Sequence, residues 1–125
     1  MIQQPMIRHT AVALALIAAT TAVIAQPKVQ NGLLTNEAGI TLYVFDNDVP
    51  NSGKSVCTAG CAINWHAMPV KAGAKPSGDF SIITRDDGQQ QWAYKGRPLY
   101  RFENDKKPGD QIGDGMRTTW HVARP

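Results

Sequence analysis

Residues 39–48 read GITLYVFDND, and residues 96–105 read GRPLYRFEND. Six of the ten positions are identical: Gly, Leu, Tyr, Phe, Asn and Asp. Each stretch runs through a loop rich in Pro and Gly to a Trp–His pair, which is Trp65–His66 in the first copy and Trp120–His121 in the second. This self-similarity predicts two diverged half-repeats within one small domain. We place them at about 31–70 and 80–125, joined by residues 71–79.

The local pattern predicts a mainly β fold in which the half-repeats contain hairpins. Asn36–Gly39 has the composition of a turn between two short strands, and Asp87-Gly88 supplies the positive φ of a second tight turn. One short helix, of one or two turns, is expected between Thr58 and Trp65. The predicted strands cover 33–35 and 41–45, 80–84 and 89–94, 99–102, and 120–123.

The Tyr and Phe of each repeated strand lie on the same face, because side chains alternate along a strand. We predict that this aromatic face, with Tyr43, Phe45, Tyr100 and Phe102, packs in the core. The opposite face of the second copy carries Arg101, so we expect that face to be partly in contact with water.

The first 25 residues differ in composition from the rest of the chain. Seventeen of them are apolar, against 36 of the remaining 100. An apolar run of about 15 residues follows Arg8 and ends at Ala25, with small side chains where a signal peptidase reads. This layout predicts a signal peptide over 1–25, with a mature N-terminus at Gln26, whether translation starts at Met1 or Met6.

The apolar run is shorter than the roughly 20 residues that a membrane-spanning helix needs. We therefore expect no stable membrane insertion after signal cleavage, and a mature protein that is periplasmic or secreted. The 13 Lys and Arg residues are interspersed with 10 Asp and Glu residues, whereas nucleic-acid binding requires a clustered basic stripe. No nucleic-acid partner is expected.

The motifs Tyr43/Phe45/Asp48 and Tyr100/Phe102/Asp105 resemble the bacterial secreted-repeat family that is defined by a Yx(F/W/Y)xxD motif. The strings CTAGCAINW at 57–65 and WHVARP at 120–125 fit the same family. Its members are usually described as predicted lipoproteins of unknown function. Two departures stand out, because the chain lacks a Cys for lipid attachment and has His66 where a Pro commonly follows the first Trp. The resemblance implies export and a repeat, but no reaction.

Cys57 and Cys61 belong to the predicted mature part and would meet an oxidising compartment, which favours a disulfide between them. The alternative is a soft-metal site. Thiolates, thioethers and imidazoles suit Cu(I), and a periplasmic copper or redox accessory protein could use Cys57, Cys61 and His66. The candidate metal ligands in the mature chain are Cys57, Cys61, His66, Met68, Met116 and His121.

Acidic residues follow both repeated strands, at Asp46 and Asp48 and at Glu103 and Asp105. Such pairs could in principle act as acid and base in glycoside cleavage. Their place before a Pro- and Gly-rich loop instead indicates strand-end turns, in which an Asp side chain caps its own backbone. We therefore expect no catalytic residues and no enzyme activity. The sequence predicts a binding or structural module of the cell envelope with an unknown envelope partner and no cofactor.

Overall fold

The structure is a computed structural model that describes residues 2–7, 10–13 and 26–125. The predicted signal peptide therefore lies mostly outside the described residues. The fold is mainly β, as predicted, with one short helix. No helix in the described part of the chain is long and apolar enough to cross a membrane.

The elements of residues 26–125 follow in chain order. They are β1 (Lys28–Gln30), β2 (Leu33–Thr35), β3 (Leu42–Phe45), α1 (Cys61–Asn64), β4 (Trp65–Ala67), β5 (Phe80–Thr84), β6 (Gln90–Tyr94), β7 (Arg97–Pro98), β8 (Tyr100–Phe102), a 3-10 turn (Met116–Thr118) and β9 (Trp120–Val122).

The central sheet interleaves the two half-repeats. Its strand order is β4-β8-β3-β9, so the two repeated strands lie in the middle, with Tyr43 opposite Tyr100. The Trp–His strand of each half pairs with the repeated strand of the other half, β9 with β3 and β4 with β8. All these pairings are antiparallel and symmetric about the Tyr43–Tyr100 pair. Neither half-repeat therefore completes the sheet by itself.

The first predicted hairpin is wrong in its pairing. The turn after Thr35 forms, but β2 pairs with β1, a strand that the sequence pattern does not predict. Only an isolated bridge joins Thr35 to Thr41. The physical reason is that β8 and β9 pair with the two edges of β3, so neither edge is left for β2.

The second predicted hairpin is confirmed. Its strands β5 and β6 pair along their whole length, with Phe80 opposite Tyr94 at one end and Thr84 opposite Gln90 at the other. The short helix is also confirmed, as one turn at Cys61–Asn64 that ends where the chain becomes extended at Trp65 and β4 begins. Three residues are too few for an alternating pattern to reveal β4 in the sequence. A third sheet is completed by β7, which pairs with β6.

Two hydrophobic clusters cover the two faces of the central sheet. Tyr43, Tyr100 and Phe102 are buried on the aromatic face, as predicted, and Phe45 is half-buried. The opposite face also packs, because β2 and the β5–β6 hairpin cover part of it. Buried residues in that second cluster are Leu34, Leu42, Met68, Trp92, Leu99 and Ala123.

Gly113 lies where the aromatic cluster leaves no room for a side chain. A Cβ there would be 2.5 Å from Cη2 of Trp65 and 3.1 Å from Cγ of Phe102. We predict that Gly113→Ala lowers the free energy of unfolding by about 1–3 kcal/mol, since the rings must move. Urea unfolding followed by Trp fluorescence measures this.

Gly60→Ala is the matched control. Gly60 has ordinary helical φ and ψ, and a Cβ there meets nothing within 4 Å. The Gly60→Ala variant should change the free energy of unfolding by no more than about 0.5 kcal/mol. Equal costs for the two variants would contradict the close packing described at Gly113.

Candidate functional site

Each repeat motif ends in a buried aspartate that the other half satisfies. The hydroxyl of Tyr43 donates to Oδ2 of Asp105 at 2.5 Å. The hydroxyl of Tyr100 donates to Oδ2 of Asp48, also at 2.5 Å. Both aspartates are almost fully buried. The two half-repeats therefore exchange one Tyr–Asp hydrogen bond in each direction.

The second oxygen of each aspartate holds the loop that follows it. Oδ1 of Asp48 accepts the backbone N–H of Val56 at 2.7 Å, and Oδ1 of Asp105 accepts that of Ile112 at 3.0 Å. The predicted strand-end turns form, with the N–H groups of Asp48 and Asp105 donating to the carbonyls of Phe45 and Phe102. The expectation that these Asp side chains cap their own turns is wrong, because such a cap would use an N–H about two residues on. Their carboxylates connect long loops and opposite halves, which sequence spacing alone does not show.

Burial controls the titration of this network. It raises the pKa of Asp48, although the hydrogen bonds from Tyr100 and Val56 and the charge of Arg85 act in the opposite direction. Burial and the hydrogen bond to Asp48 raise the pKa of Tyr100 above its usual range. The pKa of Tyr43 is raised in the same way, by burial and by Asp105. Both tyrosines therefore stay protonated and act as donors at neutral pH.

Arg85 is a buried cation that extends the network beneath Tyr100. Its guanidinium donates to Oγ of Ser55 at 2.8 Å, to Oε1 of Gln91 at 2.7 Å and to the carbonyl of Cys57 at 2.7 Å. Ser55 in turn lies 2.5 Å from the Tyr100 hydroxyl. Both terminal nitrogens of the guanidinium are bound within the protein, which is the behaviour of a structural network.

Four aromatic rings form a continuous stack on the same face of the sheet. The central pair, Trp65 and Trp120, has ring centroids 3.8 Å apart and nearly parallel planes. Phe45 stacks on the outer side of Trp120 at 4.1 Å, and Phe102 lies against Trp65 at 4.5 Å. Both Trp rings are buried. The two Trp rings are therefore part of the core, while Phe45 at the end of the stack is half-buried.

A cleft of about 570 Å³ lies beside this stack, between the turns that precede the two Trp residues. We call it the inter-repeat cleft, because positions 55 residues apart line it from both sides. These equivalent pairs are Cys61 and Met116, Asn64 and Thr119, and Trp65 and Trp120.

The Cys57–Cys61 disulfide is present, as predicted, with an S–S distance of 2.04 Å. Cys57 is fully buried, while Cys61 is half-buried and lines the inter-repeat cleft. The bond closes the loop before α1 and fixes the turn that leads into Trp65.

Two His–carboxylate pairs lie on the other face of the sheet, again linking opposite halves. Nε2 of His121 lies 2.8 Å from Oδ2 of Asp46, and Nε2 of His66 contacts Oε2 of Glu103. The hydrogen bond from His66 and the charge of Lys106 lower the pKa of Glu103. These pairs are largely exposed and belong to the rim of the sheet.

A second pocket, of about 500 Å³, opens beside His66 between β4, β8 and the turn after β2. We call it the cationic pocket, because Arg101, Lys71 and His66 surround it. Lys71 is bound to Glu37 of the turn, with Nζ 2.9 Å from Oε2. The remaining lining is Asn36, Ala38, Ala67, Met68 and Pro69.

The structure does not bring the six candidate metal ligands together. His66 and His121 lie on β4 and β9, the two outer strands of the central sheet. Three strand spacings, roughly 14 Å, separate them. Met68 is buried in the second cluster, behind the sheet from the cysteines. Only Cys57, Cys61 and Met116 share one cluster. Among the described residues, no group of three or more His, Cys, Asp or Glu side chains is placed to hold a metal ion.

The sequence pattern does not predict the cationic pocket, although it contains one signal for it. Arg101 occupies the position that Val44 has in the first repeat. A charged residue in place of a packed apolar one marks the side of the sheet that is left uncovered. Lys71 carries no such signal, since it lies in the joint between the repeats.

The raised pKa of Asp48 predicts a pH dependence of stability. A carboxyl with a raised folded-state pKa contributes stability below its usual value of 3.8 and loses that contribution as pH rises through the folded-state value. Asp48→Asn removes this loss. We therefore expect the variant to gain stability relative to the wild type as pH increases from about 4 to about 7.

Urea unfolding across this pH range measures the difference. Asp86→Asn, at an exposed position, is the control for the change in net charge. A difference between Asp48→Asn and the wild type that is constant with pH would show that burial does not penalise the Asp48 carboxylate.

The model of one family matches the chain twice, at residues 28–68 and 81–124, and that family is described as a secreted repeat of unknown function. The two matches together cover more than half of the chain. No curated protein and no solved structure matches the chain.

Proposed function

The chain belongs to the family of secreted repeats of unknown function, and from this membership and the geometry above we propose an exported, non-catalytic binding module of the cell envelope. Its ligand site is the cationic pocket. The module acts in the periplasm after removal of residues 1–25, and its partner is an envelope component rather than a nucleic acid.

The observation that carries this proposal is the break in symmetry at Arg101. Val44, at the equivalent position, packs against the second cluster. Arg101 instead lines an open pocket with its side chain 34 % exposed. The Tyr–Asp, Trp–Trp and His–carboxylate contacts use equivalent residues of the two repeats, whereas the disulfide and the Arg85 network belong to one side only. Val44 borders a smaller pocket of about 240 Å³, so the two repeats differ at this position in the size of the pocket and in the charge of the side chain.

The acidic residues support a non-catalytic role. Asp48 and Asp105 are buried, and both oxygens of each accept hydrogen bonds from within the protein. Asp46 and Glu103 form ion pairs at the exposed rim of the sheet. Neither arrangement leaves a pair of carboxylates facing across a cleft, as glycoside cleavage requires.

Fragment mapping of the mature protein tests the ligand site. We propose titrating ¹⁵N-labelled residues 26–125 with a panel of small anions, cations and neutral compounds, and following the chemical shifts of the backbone amides by NMR. The largest changes in chemical shift should occur at the amides of Ala67, Met68 and Lys71, whatever the charge of the compound that binds best. Convergence on the inter-repeat cleft, or no convergence, would contradict the assignment.

A second candidate function is a periplasmic copper or redox accessory protein. The observation in its favour is that Cys61 and Met116 line the same cleft, with Cys57 in the same cluster. After reduction of the disulfide by a dithiol, two thiolates and one thioether would offer Cu(I) a soft ligand set. His66 does not belong to this set, because it lies on the opposite face of the sheet.

Cu(I) competition with a chromogenic chelator tests the second candidate. It predicts about one equivalent of Cu(I) in the reduced protein, weaker binding in Met116→Leu and unchanged binding in His66→Ala. Met68→Leu is the matched control, since Met68 is buried in the other cluster. Absence of Cu(I) binding by the reduced protein would eliminate this function.

A further inference from the structure

We propose, building on the binding function above, that the cationic pocket takes a carboxylate carried on a small apolar group. The Arg101 guanidinium binds the carboxylate, and the apolar part lies on the surface formed by Ala67, Met68 and Pro69. This ligand class follows from which charges of the pocket are already bound within the protein.

Arg101 is the cation of the pocket whose donors are free. Among the described residues its guanidinium forms no hydrogen bond, and Nη2 lies 3.9 Å from Oε2 of Glu103. That Glu103 oxygen already contacts His66, and the other one lies 3.6 Å from Nζ of Lys106. The Arg101 guanidinium therefore lines the pocket with a long ion-pair contact to Glu103 and no hydrogen bond to a carboxylate of the described residues. Carboxylates and phosphates both match the planar guanidinium fork with two parallel hydrogen bonds, so the choice between them depends on the other charges of the pocket.

The surrounding charges limit the ligand to a single negative charge. Lys71 is bound to Glu37, and His66 is bound to Glu103. A phosphate dianion would bring its second charge near these two glutamates, with only Arg101 left to balance it. A monoanionic carboxylate needs one free cation, which is what the pocket supplies.

The rest of the pocket selects an apolar group next to the carboxylate. Ala67, Met68 and Pro69 form one side of it, opposite Ala38 of the turn after β2. The volume of about 500 Å³ is within the range of small-molecule sites, and burial of apolar area there would add to the affinity.

Butyrate and butyramide are the probes that test this ligand class, because they share a shape and differ in charge. We expect butyrate to shift the amides of Ala67, Met68 and Lys71 saturably, with butyramide at least about ten-fold weaker. Inorganic phosphate is the third probe and should also bind more weakly than butyrate.

Arg101→Val is the decisive variant, since it places in the second repeat the residue type that packs at position 44. The variant should still unfold in one cooperative transition, and its affinity for butyrate should be lower by at least about ten-fold. Lys54→Gln is the matched control, because it removes one positive charge at an exposed position outside the pocket. Butyrate binding to this variant should be unchanged.

The outcomes separate the ligand class from the binding function. Equal binding of butyrate and butyramide, tighter binding of phosphate, or full butyrate binding by Arg101→Val would each overturn the carboxylate assignment. Failure of butyrate to shift the pocket amides would overturn it as well. In all these cases the binding function still stands if the fragment panel converges on the pocket.

Discussion

The exchange of two Tyr–Asp hydrogen bonds between the half-repeats is the constraint on which the rest of the structure depends. A buried carboxylate is costly unless donors satisfy it. Asp48 and Asp105 each take one donor from the loop that follows and one from the tyrosine of the opposite half. Neither repeat can therefore bury its own motif alone. The two repeated strands must lie side by side, and the strand order of the central sheet follows from that.

The symmetry of these contacts separates the molecule into two faces with different roles. On the aromatic face, equivalent residues of the two repeats form one stack, with Trp65 on Trp120 at its centre. On the other face the β5–β6 hairpin covers only part of the sheet. Val44 packs in the covered part, whereas Arg101 borders an open pocket. Duplication thus accounts for the core, and the two repeats diverge on the face that carries the cationic pocket.

The sequence identifies the repeats, the mainly β class and the disulfide because these depend on local composition and on self-similarity. It also places Tyr43, Tyr100 and Phe102 in the core, since alternation in a strand fixes which residues share a face. It does not show that β9 pairs with β3 and β4 with β8, because pairing partners are set by contacts far apart in the chain.

The same limit applies to the candidate site. Asp48 and Asp105 have the sequence context of turn residues, and only the folded chain shows that their carboxylates reach the opposite half. Lys71 meets Glu37 through the fold of the joint rather than through any local pattern. Arg101 is the one pocket residue whose sequence position signals it, as the charged counterpart of Val44.

A pair of double-mutant cycles tests the central claim most directly. One cycle combines Tyr100→Phe with Asp48→Asn, and the other combines Tyr43→Phe with Asp105→Asn, with the free energy of unfolding measured for every variant. The reciprocal exchange predicts a coupling energy of about 1–3 kcal/mol in both cycles. Effects that add to within about 0.5 kcal/mol in either cycle would contradict it.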